Sequence, residues 1–172
     1  MSETELPVTR TCLNGWWDII PCYEPAADYN VPEDGWLEGQ YLVPSFWTKP
    51  TSAVRRAGET TYGVAHDPAI FDTEDAEFLF DAFGYPSAWS KTRSAWVRRT
   101  VTINRIDPAL RYHLVFDAVM PKACLFVNGH KVLLHIQPTL PLEVDVTPWL
   151  RSGENEIAVL IEDYDRDDRG RA

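Results

Sequence analysis

The chain has 172 residues, 45% of them hydrophobic, with seven tryptophans and a net charge of −10. That length suits one globular domain over residues 1–172 with a core of its own, and the apolar share excludes a disordered chain. The acidic balance, with no basic cluster longer than Arg55-Arg56 or Arg98-Arg99, argues against nucleic acid as a partner.

The opening segment "MSETELPVTRTC" carries neither a basic n-region nor an apolar h-region, so residues 1–12 read as a poorly ordered tail rather than a signal peptide. No apolar stretch approaches the roughly 20 residues needed to cross a bilayer. A soluble cytoplasmic protein without a membrane partner is therefore expected. Cys12, Cys22 and Cys124 are odd in number and lack C-x-x-C spacing, which supports neither a zinc site nor a disulfide framework. Free thiols are expected, with a Cys12–Cys22 bridge the one pairing left open.

Residues 1–75 are rich in Pro, Trp and acidic side chains and show little periodicity. "CYEPAADYNVPEDGW" and "WTKPTSAVRRAGETTYG" read as long ordered loops anchored by aromatic residues. Between them "GQYLVPSFW" (39–47) holds one short strand that ends at Pro44. From residue 76 the pattern becomes strand, turn, strand. "AEFLFDAF" is a short apolar run. "AWVRRTVTIN" (95–104) sets Val97, Val101 and Ile103 on one face and Arg98, Thr100 and Thr102 on the other. "RYHLVFDAV" (111–119) follows an Asp107-Pro108 turn. "ACLFVNG" and "HKVLLHI" read as a hairpin, because Asn128-Gly129 supplies the two positive-φ positions of a type I′ turn. In "LEVDV" and "NEIAVLIED" apolar residues recur at every second position: Leu142, Val144, Val146, then Ile157, Val159, Ile161. "TPWLRSGEN" predicts one helical turn, with Thr147 as N-cap, Pro148 at the first position and Gly153 closing it. About eight short strands with almost no helical periodicity describe an all-β antiparallel sandwich of jelly-roll type with long ordered N-terminal loops.

Complete catalytic chemistry is not visible. There is no G-x-S-x-G turn and no Gly-rich phosphate loop. His130 and His135, at odd spacing on one strand, should face opposite sides, and His113 in an apolar strand reads as a packing residue. No cofactor or metal is called for. The densest carboxylates lie in "EDYDRDDRGR" (162–171), where Asp163, Asp165 and Asp167 share a face if the strand continues; a solvated edge is the simpler reading. Glycosidases need two carboxyl groups roughly 5–9.5 Å apart, and nothing here resembles such a pair. Among the tryptophans, Trp16, Trp96 and Trp149 are expected in the core. Trp89 differs, because "GYPSAWSKTRSAW" is a polar loop in which a flat ring can stack on a sugar.

Taken in order, "GYPSAWSKTRSAWVRRTVTIN", "LVFDAVMPKACLFVNGHKVLLH" and "PLEVDVTPWLRSGENEIAVLIED" resemble the N-terminal sugar-binding sandwich of glycoside hydrolase family 2. That family includes β-galactosidases, β-glucuronidases and β-mannosidases. Its W-Y-R-R strand is matched by Trp96, Arg98 and Arg99, and an apolar strand ending in Val by Val119. The V-N-G hairpin is matched by Asn128 and Gly129, followed by His135. P-F-x-x-D-V-T is matched by Pro141, Asp145, Val146 and Thr147, and L-x-x-G-x-N by Leu150, Gly153 and Asn155. "LNGWWDI" and "YLVPSFW" resemble the family's opening L-x-G-x-W and V-P-x-x-W. The departures are Val97 for the usual Tyr, Leu142 for Phe, Gln137-Pro138-Thr139 in place of a Gly pair, and long segments at 22–36 and 48–80.

The resemblance implies a galactose-binding-like jelly roll that shapes a substrate pocket without catalysing. The acid/base and nucleophile glutamates would lie in a TIM barrel downstream of an immunoglobulin-like domain, and the end of the chain just after the last strand fits an excerpt of such an enzyme. By position, Tyr85, Trp89 and Arg93, before the W-Y-R-R strand, and Asp163, Asp165, Arg169 and Arg171, after the last strand, would approach the carbohydrate. Asn128 is expected to form the turn rather than touch sugar. The alternatives are a free-standing carbohydrate-binding module and a structural sandwich that packs against partner domains.

Overall fold

The computed structural model describes residues 8–26, 29–45, 85–86, 88–89, 92–119, 122–136 and 141–162. The expected tail is therefore described only from residue 8, and the apolar run at 76–83 lies outside the described residues. Eight strands are seen: β1 (Gly15–Cys22), β2 (Leu37–Val43), β3 (Ser94–Ile103), β4 (His113–Phe116), β5 (Lys122–Val127), β6 (His130–His135), β7 (Leu142–Asp145) and β8 (Gly153–Glu162). All pairings are antiparallel. Six strands form one sheet in the order β2-β1-β3-β8-β5-β6, and β4 pairs with β7 in a second.

One buried cluster joins the two sheets. Trp17, Ile19, Ala95, Val97, Leu125, Val127, Ile157 and Val159 from the large sheet pack with Leu114, Phe116 and Val144 from the small one. On the other face of the large sheet, Trp96, Cys124, Phe126, Ala158 and Leu160 are covered by Ala26, Tyr29, Val31 and Trp36 from the loop after β1. The centre of the sheet is thus buried on both sides. This explains why β5 and β8 read as near-continuous apolar runs, whereas β4, with one solvated face, alternates. The segment after β1 thus covers the part of the outer face around Trp96, Phe126 and Leu160.

The Asn128-Gly129 hairpin forms as expected, with φ of 51° and 77°. Asn128 also does more than turn the chain. Its Nδ2 donates to Trp149 O at 2.7 Å and to Asn155 Oδ1 at 2.9 Å, and its Oδ1 accepts from Glu156 N at 3.0 Å. Asn155, wholly buried, returns Nδ2 bonds to Arg151 O and Gly153 O and accepts from Arg151 N. Both Nδ2 hydrogens of Asn128 and both acceptor sites of Asn155 Oδ1 are committed, so Asn128 ties the hairpin to β8 as well as turning the chain.

Several expectations are corrected. Trp16 is 57% exposed while Trp17 is buried, because residues 17 and 19 of β1 face the core and residue 16 faces out. The helical turn is a 3-10 turn, Thr147–Trp149, whose N-cap is Val146 with no side-chain cap bond. The Thr147 hydroxyl instead accepts from Tyr112 N at 2.8 Å, and Asp145 Oδ1 accepts from Thr147 N, so the pair ties β7 to the segment before β4. His113 lies exposed on the solvated face of β4, 3.1 Å from Glu143 across the pair. A bulge in β6 places His130 opposite Val127 and His135 opposite Ala123, so both belong to the same face despite their odd spacing. Trp96 is buried as expected, and Trp149 packs partly buried against the main cluster.

Candidate functional site

The segment before β3 is built from the aromatic residues that "GYPSAW" supplies. Tyr85 lies between Tyr41 and Trp89, with ring centroids 5.7 and 5.0 Å away. Its hydroxyl accepts from Leu42 N at 2.9 Å and lies 2.7 Å from Ser45 Oγ, which pins the segment to the end of β2. Trp89 N donates to Pro86 O and Thr92 N to Trp89 O, closing two consecutive turns. Tyr85 and Trp89 are 7% and 3% exposed and belong to the main core. The polar sequence around Trp89 suggested a ring open to solvent; the fold turns that ring inward onto Tyr85. Both rings are packed in the core, and the Thr92 N–H bond to Trp89 O sets where Arg93 leaves it.

Arg93 is half-buried, and its N–H donates to Cys22 O at 2.8 Å. It opens onto a row that crosses four strands, in which Cys22 pairs with Ser94, Ser94 with Glu162, and Glu162 with Lys122. Ser94, fully buried, donates to Glu24 O at 3.0 Å and so holds the start of the covering loop. At the far end of the row Tyr29 donates to Glu162 Oε2 at 2.9 Å, while Lys122 Nζ reaches the same carboxylate oxygen and the Tyr29 hydroxyl. Lys131 Nζ stands 4.7 Å from the centre of the Tyr29 ring. Burial alone would lower the Lys122 pKa, but its bonds to Glu162 and Tyr29 outweigh this and raise it above 10.5. Glu162 thus anchors the loop to the sheet through Tyr29 and Lys122.

Beside this row the loop and the sheet border an open, shallow cleft of about 390 Å³, lined by Cys22, Glu24, Asn30, Pro32 and Trp96 among others. Near its rim, burial pushes the Cys22 thiol up, which keeps it protonated, although a Ser94 contact opposes the shift. The Thr92 hydroxyl, next to Arg93, is buried without a hydrogen-bond partner among the described residues. Asp163, Asp165, Arg169 and Arg171 lie outside the described residues; the last described residue before them, Glu162, pairs with Ser94, next to Arg93. No group of three or more His, Cys, Asp or Glu side chains among the described residues is arranged to hold a metal. All three cysteines are free thiols.

Comparison with known proteins gives this site its context. Residues 12–169 match the family model "Glycosyl hydrolases family 2, sugar binding domain". The chain belongs to glycosyl hydrolase family 2. A β-galactosidase of Leuconostoc mesenteroides is 26% identical over 176 residues, covering 93% of this chain and 14% of that enzyme. A putative β-glucuronidase of Formosa agariphila is 29% identical over 72 residues, 41% of this chain and 9% of that protein. This family 2 chain thus spans a seventh or less of the curated relatives it matches. Among solved structures, a β-glucuronidase of an uncultured Clostridium superposes with TM-score 0.54 and 20% identity over 91% of this chain and 23% of that one. A family 2 member from Bacteroides cellulosilyticus gives 0.55 and 19% over 90% and 18%. These likenesses show a shared fold, the galactose-binding-like sandwich of the family's N-terminal domain.

Most of the described family signature residues turn out to be structural. Arg99 Nη1 donates to Leu13 O at 2.8 Å and Asn14 O at 3.0 Å, joining the L-x-G-x-W turn to β3. Gly15 sits there at φ 125°, where a Cβ would lie 3.3 Å from that same guanidinium nitrogen. Asn128, Asn155, Asp145 and Thr147 hold the ends of strands, as described above. The residues that line the site and that sequence reading missed are Glu24, Tyr29, Lys122 and Glu162. No motif marks them; only strand register and the path of the covering loop bring them together.

Proposed function

We propose that this chain is the N-terminal sugar-binding domain of a glycosidase that hydrolyses terminal β-glycosidic bonds of the β-galactoside or β-glucuronide type. The observation that carries the reading is the family match over nearly the whole chain, together with relatives several times longer. The chain would form one wall of the substrate pocket through the end of the sheet at Cys22, Arg93 and Glu162. The residues from Asp163 onward would continue from that wall toward the sugar. The acid/base and nucleophile carboxylates would come from a downstream TIM barrel, reached through an immunoglobulin-like domain. A retaining reaction there requires the two carboxyl groups about 5–5.5 Å apart.

The test is to express the complete reading frame from its native source and assay aryl β-D-galactoside and β-D-glucuronide, with proton NMR to read the first-formed anomer. Hydrolysis with retention is expected for one of them. A frame that ends at Ala172, or a longer protein inert on both glycosides, would overturn the hydrolase reading and leave a free-standing sugar-binding module.

A further inference from the structure

Among the described residues, the outer face of the large sheet is covered at one end. The loop of residues 23–36 lies over Trp96, Cys124, Phe126 and Leu160. Toward the other end of β1, Trp16 stands 57% exposed. Trp16 is not the tryptophan of the L-x-G-x-W motif; Trp17 is, and it fills the core. The core therefore gives no reason for a second large ring at position 16, and a tryptophan left more than half in water is unusual.

Across the β1–β2 pair its partner on the same face is Leu42, half-buried; toward β3 its neighbours are polar and held in place. Asp18, two residues along β1, pairs with Arg98 on β3, with Nε to Oδ2 at 3.1 Å. Arg98 Nη1 reaches Glu156 Oε2 on β8 at 3.3 Å. The Arg98 guanidinium lies 4.2 Å from the centre of the Trp36 ring, and Asp18 Oδ1 is taken by Gly39 N. These contacts leave Arg98 Nη2 as a donor and Glu156 Oε1 as an acceptor without a partner among the described residues. Thr100, exposed, pairs with Glu156 in register and adds a hydroxyl.

A pyranose ring offers an apolar C–H face and neighbouring hydroxyls that both donate and accept. The platform offers an exposed aromatic face, a fixed donor and a fixed acceptor. Two carboxylates face one guanidinium, on a chain of net charge −10, which favours a neutral ring over a carboxylated or sulfated one. A protein partner would need about 800 Å² with a largely apolar centre, and here Trp16, with Leu42 half-buried beside it, is bordered on the β3 side by Asp18, Arg98 and Glu156.

We propose that this open end of the outer face binds neutral oligosaccharide, with one ring stacked on Trp16 and its hydroxyls on Arg98 and Glu156. The proposal does not depend on the hydrolase reading. Its readout is binding, so a failed assay for hydrolysis and a failed titration are separate results.

The test is calorimetric titration of the full chain with β-1,4-galactotetraose and with cellotetraose, using trigalacturonate as an acidic control. One neutral probe is expected to bind with Kd of about 1 mM or tighter, and the acidic control about tenfold more weakly. Trp16→Ala should weaken binding by about tenfold or more without lowering the melting temperature, and Trp16→Phe should restore part of it. No heat from either neutral probe at about 10 mM overturns the proposal, as does undiminished binding by Trp16→Ala. A change in sedimentation of Trp16→Ala with no change in sugar affinity would also overturn it and assign the face to protein contact.

Discussion

At the scale of single residues, burial reverses the roles that sequence context suggests for two tryptophans. Trp89 stands in a polar segment and Trp16 beside Trp17, yet Trp89 is 3% and Trp16 57% exposed. Trp89→Ala removes a ring packed on Tyr85, and a loss of about 3–5 kcal/mol in urea unfolding is expected. Any loss of ligand binding should follow that loss of fold. Asn155→Ala strips the acceptor from Arg151 N and the donors from two carbonyls, and should cost about 2–3 kcal/mol by the same measurement. The thiols give a third check. Burial raises the pKa of Cys22 and Cys124, while Cys12 is exposed. A thiol reagent at neutral pH should therefore label Cys12 first, Cys22 slowly, and Cys124 only on unfolding.

At the scale of elements, the connections depend on side chains at strand ends. Asp145 is the case with a pH signature. Its side chain accepts from Thr147, which holds its carboxyl below the ordinary 3.8. A depressed carboxylate contributes stability that is fully present above 3.8 and is lost as pH falls through its lower folded value. Unfolding measured from about pH 5 to about pH 2 should show a shallower acid decline in Asp145→Asn than in the parent chain. The covering loop is held in a comparable way at Tyr29, where one hydroxyl meets Glu162 and Lys122. Tyr29→Phe removes both bonds and keeps the ring. It should loosen the loop while the sheet stays folded, seen as faster hydrogen exchange at residues 23–36 with little change in β5 and β8.

At the scale of the molecule, a sheet with an inner face packed on a second sheet and an outer face partly covered by a loop presents, among the described residues, two surfaces that the proposals above assign to ligands. One is the strand-end row that runs from Cys22 to Lys122, beside the cleft. The other is the open platform around Trp16. Both lie on the six-stranded sheet, whose centre is buried on both faces. A rigid frame of this kind holds polar side chains at fixed spacing, which is what recognition of a polyhydroxylated ligand requires.

The strands from β2 to β8, the Asn128-Gly129 turn and the alternation in β7 were legible in the sequence, because local sterics and side-chain period set them; β1 was not, since Gly15–Cys22 is buried on both faces at its centre and shows no two-residue period. The ordered signatures from Trp96 to Asn155 likewise marked the family. Which tryptophan faces water was not legible, since in β1 two adjacent rings differ only in the side of the pleat that the core occupies. Nor was the shared face of His130 and His135, which depends on a bulge that only pairing with β5 creates. The site residues Tyr29, Lys122 and Glu162 are distant in sequence and meet through register and loop path. Local chemistry decided the elements and the family; long-range packing decided which side chains those elements bury and which they offer.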